Sequence, residues 1–77
     1  MTTPDDIKAW ITENMAVQFV EVDGDGHHFE AVIVSELFEG LNTLARHRLV
    51  YSALGDKMRA EIHALSMKTY TPSQYNH

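Results

Sequence analysis

The chain contains no cysteine, which excludes disulfides and thiol chemistry. Any metal must then be held by histidine or carboxylate, or by sulfur from a partner. Long apolar runs are absent as well. None approaches the roughly 18 residues that a membrane span needs. The opening MTTPDDIKAW is acidic and lacks the basic region and apolar core of a signal peptide. These absences predict a cytoplasmic protein that engages no membrane. With only two prolines and four glycines, there is no linker, low-complexity tract or repeat of solenoid length. There is also no nucleophile motif, no phosphate loop and no paired-carboxylate signature beyond acids in turns. A chain of 77 residues has room for one modest core and little for an enclosed substrate pocket. The expectation is that it is not an enzyme.

Positive charge is scarce, with 6 Lys and Arg against 11 Asp and Glu. It is also unevenly placed. Residues 1–39 carry nine acids against Lys8 alone, a local charge of −8. Residues 40–77 carry Arg46, Arg48, Lys57, Arg59 and Lys68 against Asp56 and Glu61, which gives +3. The overall charge disfavours non-specific nucleic-acid binding, whereas the C-terminal half can present a basic face. A pair of solvated helix faces is the plainer reading.

What remains is ordinary for a small α+β protein, 44% apolar and 22% charged. Thr3-Pro4-Asp5-Asp6 supplies an N-cap, a proline at the first helical position and acids in the first turn, so a helix is predicted over about 4–14. Ile7, Trp10 and Ile11 make its apolar stripe. Residues 16–23 read as a strand, Asp23-Gly24-Asp25-Gly26 as a hairpin turn, and 27–34 as a second strand. Phe29, Ala31 and Ile33 share one face of it. SELFEG reads as a short helical turn ending in a cap glycine. Asn42-Thr43 caps a helical segment over 43–61, one helix or two, with Gly55-Asp56 as the point of division. Its stripe of Leu44, His47, Tyr51, Leu54, Met58 and Ile62 is expected to face the sheet. A third strand, 63–70, alternates with period two. Thr71-Pro72-Ser73-Gln74 then opens a short helix with a capping box. Trp10, Phe29, Ile33, Tyr51, Leu54 and Leu65 are the expected core contributors, with Met58 and Met67 as filler.

Strands one and two form an antiparallel hairpin in this reading. The 28 residues 35–62 suffice for a right-handed crossover that sets strand three parallel to strand two. If strand three also lies beside strand two, an adjacency the sequence leaves open, their openings fall at one end of the sheet. His28 opens strand two and His63 opens strand three. Adjacent strands are about 4.8 Å apart, so two imidazoles there can face one small site.

GDGHHFEAVIVSELFEG, RHRLVYSALGDKM and IHALSMKTYTP together resemble the BolA family, from about Ile7 to Tyr75. The carrying features are a GDG-x-HF hairpin, an FEG turn, R-x-R-LVY in the helix and HAL before TP. The hairpin histidine and short length resemble the compact branch without an N-terminal extension. The resemblance implies one α+β domain over 1–77, a three-stranded mixed sheet backed by helices in a class II KH-like arrangement. It implies a partnership with a monothiol glutaredoxin and co-ligation of a [2Fe–2S] cluster, in iron–sulfur trafficking and iron regulation. Glutaredoxin and glutathione would supply thiolates, which suits a chain without sulfur ligands of its own. Mixed thiolate and imidazole ligation is chemically sound. No cofactor is expected in the isolated chain, which would be a monomer or weak homodimer.

The family's ligand positions fall on His63 and on the hairpin's His28. His27 stands where a small residue is commoner, so the choice between His27 and His28 as second ligand stays open. Without the resemblance, His63 reads as a strand-end histidine bonded to a carbonyl, and His28 as a hairpin stabiliser beside acids. His27 and His77 read as solvated, and His47 as packed. The alternative function is a nucleic-acid-binding transcriptional regulator, with Arg46, His47, Arg48 and Lys68 meeting phosphates. The GXXG clamp of nucleic-acid-binding KH domains is missing from the helical region.

Overall fold

The computed structural model describes residues 1–76; His77, expected to be solvated, lies outside them. Local sequence sets most element ends. Helix α1 spans Pro4–Asn14, and Thr3 and Asp6 form a reciprocal capping box at its start. Strands β1 (Phe19–Gly24) and β2 (His28–Val34) make the hairpin, and a single 3-10 turn follows at Glu36–Phe38. Helix α2 runs Thr43–Leu54 with Asn42 as N-cap. It stops at Gly55, whose φ of +57° few other residues adopt. A one-turn α3 (Lys57–Ala60) leads to β3 (Ala64–Tyr70), and α4 (Pro72–Tyr75) starts with the second capping box, Thr71 with Gln74.

The sheet order is β1-β2-β3, antiparallel for the first pair and parallel for the second. It is the mixed sheet with a central second strand that the crossover length allowed. Phe29, Ala31 and Ile33 of β2 and Val20 of β1 are buried with Ile7 and Ile11 of α1 and Val50 and Leu54 of α2. Each large side chain so buried contributes about 1.5–3 kcal/mol of apolar transfer. Trp10, Leu65, Met58 and Met67 pack half-buried against this core. Among the described residues no helix is long and apolar enough to cross a membrane.

The sheet's other face is closed at one end only. Phe19, Val34 and Tyr70 form one row across the three strands. The Tyr75 ring of α4 stacks on Phe19 at 5.6 Å and meets Tyr70 at 5.4 Å. Val34 is buried beneath them. Among the described residues, the end that carries the hairpin turn and the start of β3 has no such cover, and a cleft opens there between His28, Glu30 and Ser66.

Three expectations need correction. The first strand begins at Phe19, not at 16. The Gln18 N–H still donates to the Val34 carbonyl at 2.8 Å, but the Ala16 carbonyl accepts from Ser35 Oγ at 2.7 Å and Gln18 Oε1 accepts from the Glu36 N–H at 2.8 Å, both beyond the end of β2. The third strand begins one residue after His63. Finally, Tyr51 is not core. It is 39% exposed and Leu44 is 59% exposed, whereas Val50 is fully buried. Within α2 the inward positions are Val50 and Leu54, four residues apart, and Leu44 and Tyr51 fall on the flank of that stripe.

Arg46 fixes the orientation of α2. Its Nε donates to the Leu41 carbonyl at 2.9 Å, and Nη1 donates to the Thr69 carbonyl at 3.1 Å and Gln74 Oε1 at 2.9 Å. Its guanidinium lies 5.7 Å from the centre of the Phe38 ring. One side chain thus joins the loop before α2 to the end of β3 and to α4. Hydrogen bonds to a charged group are worth about 1.5–3 kcal/mol each when one partner is lost. Half-exposure lowers the total, so Arg46→Ala is expected to cost about 2 kcal/mol in urea unfolding. Arg46→Lys should not restore it, because a single ammonium cannot reproduce the planar fork. An unchanged unfolding midpoint would remove this role.

Candidate metal centre at the open end of the sheet

The turn at the uncovered end is built around one carboxylate. Asp25 Oδ1 accepts from the backbone N–H groups of His27 and His28, each at 2.9 Å. The side chain thereby imitates a backbone turn and fixes the residues that follow. The Asp25 N–H donates to the His28 carbonyl at 3.2 Å. The N–H groups of His28 and then His27 hold the Asp25 carboxyl below its ordinary range, with smaller help from the two nearby imidazoles.

A lowered folded value stabilises the turn only while the carboxylate is charged. The contribution is complete above aspartate's ordinary value of about 3.9 and disappears as pH falls through the lowered one. The His27 and His28 amide resonances should therefore shift together between about pH 5 and about pH 2. Asp25→Asn should flatten that response. Wild-type resonances that do not move, or that the Asn variant reproduces, would count against a turn held by Asp25.

His63 reaches the same end from the other side. The α3 segment closes with Glu61 and Ile62 N–H groups both donating to the Lys57 carbonyl at 2.9 Å. Ile62 is buried, which anchors the segment, and His63 follows it exposed. In the parallel ladder His28 is opposite Ala64 and Phe29 opposite Leu65. Extending that register back by one residue sets His27 opposite His63. Their rings lie 5.6 Å apart, tilted by 31°.

His28, the residue the sequence favoured as second ligand, has the other parity. It lines a separate cleft of about 450 Å³ with Asp23, Asp25, Glu30 and Ser66. The ring brought to His63 is that of His27, which had read as solvated. A signal for it existed in the sequence. His27 and His63 each stand two residues before a core-facing position, Phe29 and Leu65, and so share a side of the sheet.

The pair fits a metal. With metal–nitrogen bonds of about 2.0 Å, two imidazoles on one ion place their ring centres roughly 5 Å apart. Both side chains are exposed, so an ion can approach from solvent. Among the described residues no three His, Cys, Asp or Glu side chains come together to hold an ion. A metal on this pair therefore needs further donors from another molecule.

The basic residues do not assemble into one face. Arg46 is occupied by its three acceptors. His47 is half-buried and Arg48 is exposed on α2. Lys68 is opposite Val32 and alternates with half-buried Met67, which places it on the sheet face away from the helices.

Comparison with known proteins agrees with this architecture. Residues 11–74 match the model of a family described as BolA-like protein. The chain is 35% identical to the acid stress protein IbaG of Escherichia coli K12 over 71 residues, 91% of this chain and 84% of that one. It is 46% identical over 52 residues to the DNA-binding transcriptional regulator BolA of Vibrio cholerae, which covers 68% of this chain and 49% of that protein. A solved structure of a BolA homologue from Coxiella burnetii superposes with a TM-score of 0.88 at 54% identity, covering both chains in full. Motifs, sheet topology and these matches agree, and the chain belongs to the BolA-like family.

Proposed function

We propose that this protein partners a monothiol glutaredoxin and shares a [2Fe–2S] cluster with it, in iron–sulfur trafficking and iron regulation. The observation that carries the reading is the exposed His27–His63 pair at the open end of a sheet. The pair supplies two nitrogen donors in a chain with no cysteine of its own. His63 is the principal ligand and His27 the neighbour best placed to assist it. Thiolates of the glutaredoxin and of glutathione complete the set. Imidazole ligation raises the potential of such clusters and gives a protonatable attachment. Because a ligating imidazole must be unprotonated, sharing weakens as the solution acidifies.

The test is to mix the chain with a monothiol glutaredoxin carrying a glutathione-ligated cluster, following visible absorption, dichroism and complex size. New bands and a larger complex are expected. Their absence at micromolar concentrations would contradict the reading.

DNA binding is the second reading, supported by the name of the Vibrio cholerae relative. With Arg46 occupied and Arg48 and Lys68 on different faces, duplex binding should be weak near physiological salt and should fall steeply as salt rises. Tight, sequence-dependent binding under those conditions would promote this reading above the first.

A further inference from the structure

Thr2 is only 7% exposed although it precedes the first helix. Its hydroxyl donates to the Glu61 carbonyl at 2.8 Å, across 59 positions of sequence, with Glu61 Oε2 at 3.4 Å. Glu61 caps the C-terminus of α3, where helix carbonyls have no partner of their own. It also lies two residues before His63. Met1, before Thr2, is 99% exposed, so the tie is made by Thr2 alone.

The position of Thr2 is itself determined. The Thr3 N–H donates to Asp6 Oδ2 at 3.0 Å and the Asp6 N–H donates to Thr3 Oγ1 at 3.2 Å, so the capping box fixes the chain one residue on. Helix α1 also holds the other end of α3, because Lys57 Nζ lies 4.8 Å above the Trp10 ring. The segment that delivers His63 is therefore held at one end by Trp10 of α1 and at the other by Thr2, just before that helix.

We propose that Thr2 straps the end of α3 to the start of α1, as a positioning residue that fixes His63 relative to His27. The proposal rests on reading that pair as metal ligands. Its chemistry is that of an outer-shell hydrogen bond. Thr2 touches neither the metal nor the imidazole, but holds the backbone from which the imidazole projects.

The probe is copper(II) iminodiacetate, whose open positions take one or two imidazoles, read by titration and by electron paramagnetic resonance. The wild-type chain should show coupling to two imidazole nitrogens. Thr2→Val removes the hydroxyl at nearly constant shape. It should weaken binding by about tenfold, the lower end of what outer-shell partners contribute, and introduce a one-nitrogen spectrum. Thr2→Ser should restore both readouts. His63→Ala should lose the two-nitrogen spectrum outright. If Thr2→Val matches wild type while His63→Ala remains deficient, the strap is overturned and the ligand pair stands. If His63→Ala keeps the wild-type spectrum, the pair is wrong and the strap falls with it. Failure of Thr2→Ser to restore binding also overturns the role of the hydroxyl.

Discussion

His63→Ala should abolish the new visible and dichroism bands that form when this chain meets a cluster-loaded glutaredoxin, while its own fold stays intact. The two halves of that expectation have separate causes. His63 is exposed and lies just outside β3, so truncating it removes little buried apolar surface. Its cost in stability should stay within about 0.5 kcal/mol, as for surface changes generally. Chemically, the loss removes the principal ligand of the proposed site and leaves only the assisting imidazole of His27 beside it. His27→Ala should weaken the bands less, and His28→Ala least, because His28 lines the cleft on the other parity. A His63→Ala chain that forms the same species with the same lability would mean that the chemistry belongs to another residue.

Gly24→Ala should be the most damaging single methyl group added near the site. Gly24 ends β1 opposite Phe29. A Cβ there would lie 2.7 Å from Phe29 Cδ1 and 2.9 Å from its Cα, with the His28 carbonyl oxygen closer still. Two of those three atoms are backbone, so no side-chain rotation relieves the overlap. The hairpin must open where Phe29 enters the core. The expected loss is about 3 kcal/mol, the upper end of what overpacking costs, read as a lower midpoint in urea. Because His27 and His28 lie within the same turn, metal binding should fall with it. An unchanged midpoint would show that the close approach of backbone to glycine is not needed.

The parts of this molecule that were legible in its sequence are those settled locally. Thr3-Pro4 and Thr71-Pro72 each form the capping box that their spacing implies. The crossover was long enough for the parallel pairing of β2 with β3 without fixing it, and the buried face of β2 followed from alternation at Phe29, Ala31 and Ile33. What was not legible depended on distant partners. Tyr51 and Val50 are adjacent on α2, and Val50 turns inward with Leu54 because it packs in a core built by α1, β1 and β2, elements far away in sequence. The histidine pair is a similar case. A change of one residue in register exchanges every side chain across a sheet, so naming His63's neighbour requires the register itself. Two strand openings in the sequence pointed to His28, while the ladder brings His27 beside His63.

One measurement asks most directly whether an imidazole of this chain binds iron. The chain is labelled with ¹⁵N-histidine and mixed with an unlabelled, cluster-loaded glutaredoxin. The complex is then reduced and studied by pulsed electron paramagnetic resonance. Strong ¹⁵N coupling to the reduced cluster is the predicted result, and His63→Ala should remove its largest component. A reduced mixed cluster with no strong coupling from labelled histidine would contradict ligation by this chain.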